Sequence, residues 1–330
     1  MAHNILVVGG NGFIGSAVCR AALSRGMTVT SISSSGRPFR TPKGHAPAWT
    51  SKVTWLKADA LDPPSYAHLL PSTTAVVHTL GTLFEDTGYK EAIRTGDVGG
   101  VVSSFLKSLS GGRVGGGNPL QESQKSGATY ETLNRDAALR VCESFASYAS
   151  GSSSPKKTFV YVSAEDIFRP FVPARYIETK REAERGINDI ALSHPGVRAA
   201  YIRPSLVYHS HIRPLTTPFA TLLDLSATLH RSAPNGVPTP SGIFRLLSEA
   251  GRTADKTPSP QSEFDVPPSP FASMANAMVV PPIHVDHVGE AICKVLQDEN
   301  VDGVVNVSRM RELIGWVDKG NAHANVEGTT

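Results

Sequence analysis

Ile5 to Val8 is an unbroken apolar run, and Gly9, Gly10, Asn11 and Gly12 end it abruptly. A short run without polar alternation is what a strand buried on both faces requires. From Phe13 to Arg25 the apolar positions Phe13, Ile14, Ala17, Val18, Ala21 and Ala22 recur at intervals of three and four, which predicts an amphipathic helix stopped by Gly26. Met27 to Ile32 then reads as a second strand, so the chain opens with one βαβ unit of right-handed crossover. Further apolar runs occur at Val53 to Leu56, Ala75 to Leu80, Thr158 to Val162, Ala199 to Ile202 and Val304 to Val307, mostly separated by helix-length stretches. That alternation predicts an α/β fold, a doubly wound parallel sheet with helices on both faces.

Phe219, Leu222, Leu223, Leu225 and Leu229 predict one helix, and Ile243 to Ala250 another, which together form a small C-terminal substrate lobe. The expected organisation is a dinucleotide-binding unit over 1–208, a cap lobe over 209–280, a return to the sheet over 281–316 and a polar tail over 317–330. Ser108 to Asn118 is Gly-rich and Ser150 to Lys157 Ser-rich, and both read as flexible insertions. Thr253 to Pro270 is dense in Pro and Ser and reads as an irregular surface loop.

The chain has 330 residues, 40% hydrophobic and 18% charged, enough apolar material for a sizeable core and too little charge for a disordered chain. Its net charge of +3 carries no basic field of the kind that nucleic acid binding needs. Cys19, Cys142 and Cys293 are odd in number and far apart, which excludes a disulfide framework or a CxxC motif and fits a reducing compartment. No apolar run reaches about 18 residues, so any membrane contact is expected to be peripheral. The first apolar run begins at Ile5, so no removable presequence is expected ahead of the fold. Residues 1 to 58 hold seven cations and no acid, leaving 25 Lys and Arg against 29 Asp and Glu in the remainder. Such a lead has the composition of a mitochondrial address, and it equally suits a basic lobe on the side of an anionic cofactor.

Gly9, Gly12 and Gly15 fall between the first predicted strand and the first predicted helix, flanked by Phe13 and Ile14. In that context the first Gly permits the turn, the second lets backbone approach a pyrophosphate, and the third allows the helix to pack closely. The fold expected is therefore Rossmann-type, and the GxxGxxG spacing resembles that of the short-chain dehydrogenase/reductases. Acids that grip the ribose of NAD usually lie about 20 residues further on. Here the chain reads Ser31-Ile32-Ser33-Ser34-Ser35-Gly36-Arg37 with no carboxylate. Ser33 and Arg37 suit a 2′-phosphate instead, so NADP(H) is favoured over NAD(H).

Tyr176 and Lys180 stand four apart at the start of a predicted helix, which places both on one face. A neighbouring ammonium stabilises a phenolate and makes Tyr176 a usable acid or base. Ser163, at the end of the strand thirteen residues earlier, is placed to hydrogen-bond a reacting oxygen. Arg203 and Pro204 end another strand and are expected to face the cofactor and substrate cleft. Phe168, Pro170, Phe171 and Pro173 precede the Tyr and crowd the substrate entrance. In Ile283-His284-Val285-Asp286-His287, Asp286 reads as a helix N-cap and strand alternation separates the two histidines, so no metal site is expected.

VVGGNGFIGSAVC, SISSSGRP, VVHTLGTLFE with Tyr89, GGGNPL, YVSAEDIFRPFVPARYIETKREAE and YIRPSLVY together resemble the fungal atypical short-chain dehydrogenase/reductases that accompany the mitochondrial coenzyme Q (ubiquinone) biosynthesis complex. More distantly they resemble the nucleotide-binding accessory subunit of respiratory complex I. The likeness spans residues 4 to about 124 and 158 to 208, with a weaker echo at 281 to 307. It implies that Asp59 lies near the adenine, that Thr79, Leu80 and Gly81 line the cofactor, and that Asn134 supports a water relay beside Ser163, Tyr176 and Lys180. It also implies a protein on the matrix side of the mitochondrial inner membrane, partnered by proteins of coenzyme Q synthesis, with a hydrophobic quinone-like ligand. Three activities stay open: an oxidoreductase, a scaffold stabilised by its dinucleotide, and an enzyme of the epimerase/dehydratase type.

Overall fold

The computed structural model describes residues 3–81, 129–149, 155–167, 169, 173–212, 216–232, 239–250 and 269–316. The Gly-rich insertion at 108–118, Tyr89, most of the Ser-rich connection, Phe168, Pro170, Phe171, the Pro/Ser segment up to residue 268 and the tail from 317 lie outside the described residues.

In chain order the first elements are β1 (Asn4–Val8), α1 (Phe13–Ser24), β2 (Thr28–Ser33), β3 (Thr54–Lys57) and β4 (Ala75–His78). A π-helical turn, Glu131–Asp136, leads into α2 (Ala137–Ala146), followed by β5 (Lys157–Val162), α3 (Ala174–Ser193) and β6 (Val197–Ile202). Then come β7 (Val207–Tyr208), α4 (Thr216–Ser232), α5 (Pro240–Ala250), α6 (Pro270–Val279), β8 (Ile283–His284), α7 (Val285–Gln297), β9 (Gly303–Val305) and α8 (Val307–Leu313).

The described strands form a seven-stranded sheet in the order β3-β2-β1-β4-β5-β6-β9, parallel throughout. Chain order reverses at β1, which pairs with β2 on one side and β4 on the other, and Val8 stands opposite both Ile32 and His78. Crevices at the carboxyl ends of strands flanking such a reversal are where open α/β sheets bind ligands.

Strand alternation divides the core. Ile5 and Val7 join Val18 and Ala22 of α1 and Val288 and Ile292 of α7 on one face. Leu6 and Val8 join Val141 and Phe145 of α2 and Ile187 of α3 on the other. Both faces of β1 are thus buried, as its uninterrupted apolar sequence requires. Helices α1 and α7 meet at Gly289, where a Cβ would lie 2.8 Å from the carbonyl carbon and oxygen of Ala17. The three cysteines are free and buried in these packed layers.

The strand expected over Ala75 to Leu80 ends at His78, other strand ends shift by one or two residues, and three further differences have a capping reason. The strand expected to reach Val307 ends at Val305, because the Asn306 side chain accepts the amide hydrogen of Arg309 at 2.9 Å and starts α8. The Pro/Ser segment was expected to run through Pro270, but Ser269 caps α6 and Pro270 is its first residue, where a missing N–H costs nothing. Asp286 is not the cap of α7: His284 takes that position, its Nδ1 accepting the amide of Asp286 at 3.3 Å. Asp286 falls in the first turn, where a carboxylate complements the helix dipole, and pairs with Arg20 of α1. His284 and His287 do not diverge either, since their ring centroids are 5.7 Å apart.

The contact at Gly289 leaves no room for a side chain, so Gly289→Val should destabilise the fold by about 1–3 kcal/mol through overpacking. Urea unfolding measures this, with Leu192→Ala on the exposed face of α3 as a control expected within about 0.5 kcal/mol of the parent.

Candidate active site

The turn after β1 is built from glycine for steric reasons. Gly9 has φ +85°, and its amide donates to Ile32 O at 2.8 Å while its carbonyl accepts from Gly12 N at 2.9 Å. A Cβ at Gly15 would lie 2.2 Å from the carbonyl oxygen of Gly9. Gly12, the N-cap of α1, offers no side chain to the first turn, and no other side chain caps the helix. Phe13 and Ile14 are half-buried there. Thr79 locks the turn from β4: its hydroxyl donates to Val8 O at 2.8 Å, and a Cβ on Gly9 would touch Thr79 Oγ1 and Leu80. Such a cradle, from which side chains are excluded, fits a pyrophosphate bound by backbone.

Beside the turn, the loop after β2 is held by hydroxyls. Ser33 Oγ accepts the amide of Gly36 at 3.1 Å, and Ser35 Oγ accepts from Arg37 N at 3.3 Å and from Asn11 Nδ2 at 3.2 Å. Arg37 is exposed, and among the described residues no carboxylate pairs with it. A cavity of about 130 Å³ opens next to this loop, lined by Val8, Ile32, Ser33, Asp59, Ala60 and Leu80. Asp59 is fixed there by accepting the amide of Leu61 at 2.9 Å. The structure therefore brings Ser33, Asp59 and Leu80 to one cavity, with its walls mostly apolar.

Further along the same sheet edge, Gly81, Asn134 and Lys180 converge. A Cβ at Gly81 would lie 2.8 Å from Lys180 Nζ and 3.0 Å from Asn134 Oδ1. Lys180 is buried, donates to Val162 O at 2.9 Å and lies 4.8 Å from the centroid of the Tyr161 ring. Burial lowers its pKa to about 7, with Arg181 pushing the same way and Glu184 opposing. Asn134 is buried, its Nδ2 facing Thr179 Oγ1 at 3.4 Å, and its carbonyl accepts the Tyr161 hydroxyl. Tyr176 stands one turn before Lys180, half-buried, its ring edge-on to Tyr130 at 6.2 Å.

Ser163 is buried at the end of β5, and its Oγ accepts from Arg181 Nη1 at 3.1 Å. Arg181 was not foreseen. Its guanidinium also donates to Ala164 O at 2.9 Å and to Glu184 Oε1 at 2.8 Å. Fully buried Glu184 takes Arg203 as well, at Oε1 by Nε at 3.1 Å and at Oε2 by Nη2. Arg203, expected at the cofactor, thus has its planar fork on Glu184, and the carbonyl of Pro204 accepts Glu165 N at 2.9 Å. Both contacts lie in the frame under the site. The signal for Arg181 and Glu184 lay in helical spacing: residues 177, 180, 181 and 184 form the inward stripe of α3. His78 was also overlooked. It is fully buried at the end of β4 beside Tyr161, neither ring nitrogen has a partner, and burial pulls its pKa down to about 3.

The sequence model of the NAD dependent epimerase/dehydratase family matches residues 5–96, the segment that holds the glycine turn, the Ser/Arg loop and Asp59. The chain is 32% identical over 217 residues, 64% of its length and 75% of the relative's, to MIOREX complex component 2 of Saccharomyces cerevisiae. The chain is a short-chain dehydrogenase/reductase of the epimerase/dehydratase family. A second relative, the uncharacterized chloroplastic protein At1g32220 of Arabidopsis thaliana, is 24% identical over 94% of this chain and 77% of its own. Among solved structures, an oxidoreductase of the short-chain dehydrogenase/reductase family from Burkholderia thailandensis superposes with a TM-score of 0.51, at 14% identity, over 93% of this chain and 91% of that one. This likeness extends to the fold. No described helix of this family member is long and apolar enough to cross a membrane.

Removing the carboxylate of Glu184 strands two buried guanidinium groups, so Glu184→Ala should cost about 3–5 kcal/mol in urea unfolding. The triple change with Arg181→Met and Arg203→Met should recover part of it. Lys180 predicts a pH dependence. Between about pH 7 and pH 10.5 the unfolded chain binds a proton at Lys180 that the native state lacks, so stability from this group rises with pH. The rise is at most about 1.4 kcal/mol per pH unit, and the difference between parent and Lys180→Met, followed from pH 7 to 9, should report it.

Proposed function

We propose that the protein is an NADP(H)-binding oxidoreductase, or a redox-linked accessory factor, acting on a hydrophobic quinone-like compound in ubiquinone synthesis. The observation that carries the reading is the run of groups along one edge of the sheet. The glycine cradle, the cavity at Ser33 and Asp59, and the Gly81, Asn134 and Lys180 cluster follow one another there. A dinucleotide bound along that edge would rest its pyrophosphate on Gly12 and Gly15 and its adenine in the cavity. Arg37 lies in the loop that would take a 2′-phosphate and pairs with no carboxylate among the described residues, and the absence of any acid before Asp59 supports NADP(H) over NAD(H).

The cofactor supplies or accepts hydride when bound. Tyr176 would exchange the proton at the reacting oxygen, helped by Lys180, and Ser163 would donate a hydrogen bond to it. Since Arg181 already donates to Ser163 Oγ, the hydroxyl proton is left for such a partner. The resemblance to coenzyme Q proteins and the acid-free lead support a mitochondrial setting on the matrix side of the inner membrane. The name of the yeast relative, a complex component, supports an association with other proteins.

A non-catalytic scaffold is the second reading. The engagement of Ser163 by Arg181 and of Lys180 by Val162 O favours it, because both contacts also anchor α3 to β5. In that case bound dinucleotide stabilises the fold by mass action while the surface recruits partners.

Calorimetric titration should give NADPH binding tighter than NADH, and Arg37→Ala should weaken NADPH by about tenfold or more while leaving NADH within twofold. No heat with either dinucleotide would end the proposal. Cells carrying Tyr176→Phe should lose quinone output while the purified variant still binds NADPH. Normal output from Tyr176→Phe, with complex assembly lost in Gly12→Asp, would decide for the scaffold.

A further inference from the structure

Histidines mark the two places where the chain crosses between the sheet and the helical lobe. His209 follows β7 on the way out, His284 ends β8 on the way back, and Asp286 lies in the first turn of α7. One donor atom from each of these three lies within 4.8 Å of those of the other two. The rings of His209 and His284 are 4.9 Å apart between centroids. His211 flanks His209 at 5.8 Å, and His287 flanks His284 at 5.7 Å.

His284 and Asp286 are placed to serve as two ligands of one cation. His284 Nδ1 lies 3.7 Å from Asp286 Oδ2, and its one lone pair, which now accepts the Asp286 amide, passes to the ion on ligation. Two ligands of a four-coordinate zinc ion, each bonded at roughly 2.0–2.1 Å, are about 3.3 Å apart, so the His284–Asp286 pair closes by a few tenths of an ångström and the full set, now within 4.8 Å, by up to about 1.5 Å through side-chain rotation. Arg20 holds the other oxygen of Asp286, an outer contact that fixes the direction of a ligating carboxylate.

We propose that His209, His284 and Asp286 bind one divalent transition-metal ion of the zinc type, which clips β7 to the start of α7. Two imidazoles and one carboxylate suit zinc, nickel or copper and not magnesium or calcium, which take oxygen ligands. His287 or water completes the coordination. Ligation by His209 takes the tautomer protonated on Nδ1, so its ring releases the amides of His211 and Ile212, which it now accepts at 3.1 and 3.2 Å. Those amides lie near the surface, where water replaces the ring. The clip fixes both crossings between sheet and lobe, and it is independent of the dinucleotide reading.

The test uses the full, untagged chain, stripped with a chelator and titrated calorimetrically with zinc chloride at pH 7.5. The expected result is one zinc per chain, with the thermal midpoint raised by zinc and not by magnesium. His209→Ala, in a loop, and His284→Gln, which keeps a polar cap, should each weaken zinc at least tenfold. His68→Ala, an exposed histidine on the turn Ala67–Leu69, should leave it unchanged. Circular dichroism verifies that the variants fold; if His284→Gln does not, His209→Ala decides alone. Zinc bound equally well by the folded variants, or no stoichiometric uptake by the parent chain, would overturn the proposal.

Discussion

A side chain at residue 15 would press on the carbonyl oxygen of Gly9 and, at 2.7 Å, on Cα of Gly10. Helix α1 can leave β1 at its observed angle because residue 15 has no Cβ, and much of the rest follows from that angle. It lays α1 across the sheet so that Ala17 meets Gly289 of α7, closing one face of the core. It also leaves the carboxyl end of β1 as a bare backbone turn, which Thr79 and Leu80 brace from the next strand. Chain reversal at β1 then opens the adjoining crevice along which the candidate site lies.

A second constraint comes from charge. Helix α3 brings Lys180 and Arg181, consecutive and both buried, against the end of β5. Two desolvated cations side by side are costly, and the structure offsets them with oxygen atoms: Val162 O for Lys180, and Ala164 O, Ser163 Oγ and Glu184 for Arg181. Glu184 in turn holds Arg203, so the ends of β5 and β6 and the inward face of α3 form one polar frame. The frame fixes where Ser163 and Lys180 stand, whichever chemistry they serve.

The sheet was legible in the sequence because its strands are buried on both faces and so read as uninterrupted apolar runs, and the glycine turn was legible because its spacing is dictated by contact. What escaped was set by side chains meeting across the chain. Arg203 read as a strand end facing the cleft, and only the placement of Glu184 nineteen residues away reveals its partner. The cap of α7 was misjudged because Asp outranks His as a generic N-cap, whereas here Arg20 of α1 engages Asp286 and His284 closes the first turn. The buried His78 carried no pattern beyond ending an apolar run; its lack of a hydrogen-bond partner among the described residues is a fact of packing.

The polar frame also narrows what the site residues can do. With Arg181 donating to it, the Ser163 oxygen is a poor acceptor of a further proton, and its hydroxyl is strengthened as a donor by the adjacent positive charge. Ser163 is thereby suited to an oxygen that gains negative charge and unsuited to the role of base. Lys180 stands one turn after Tyr176, and burial lowers its pKa to about 7. The same lysine also satisfies Val162 O, so its burial is offset by a bond that anchors α3 to β5 whichever reading holds.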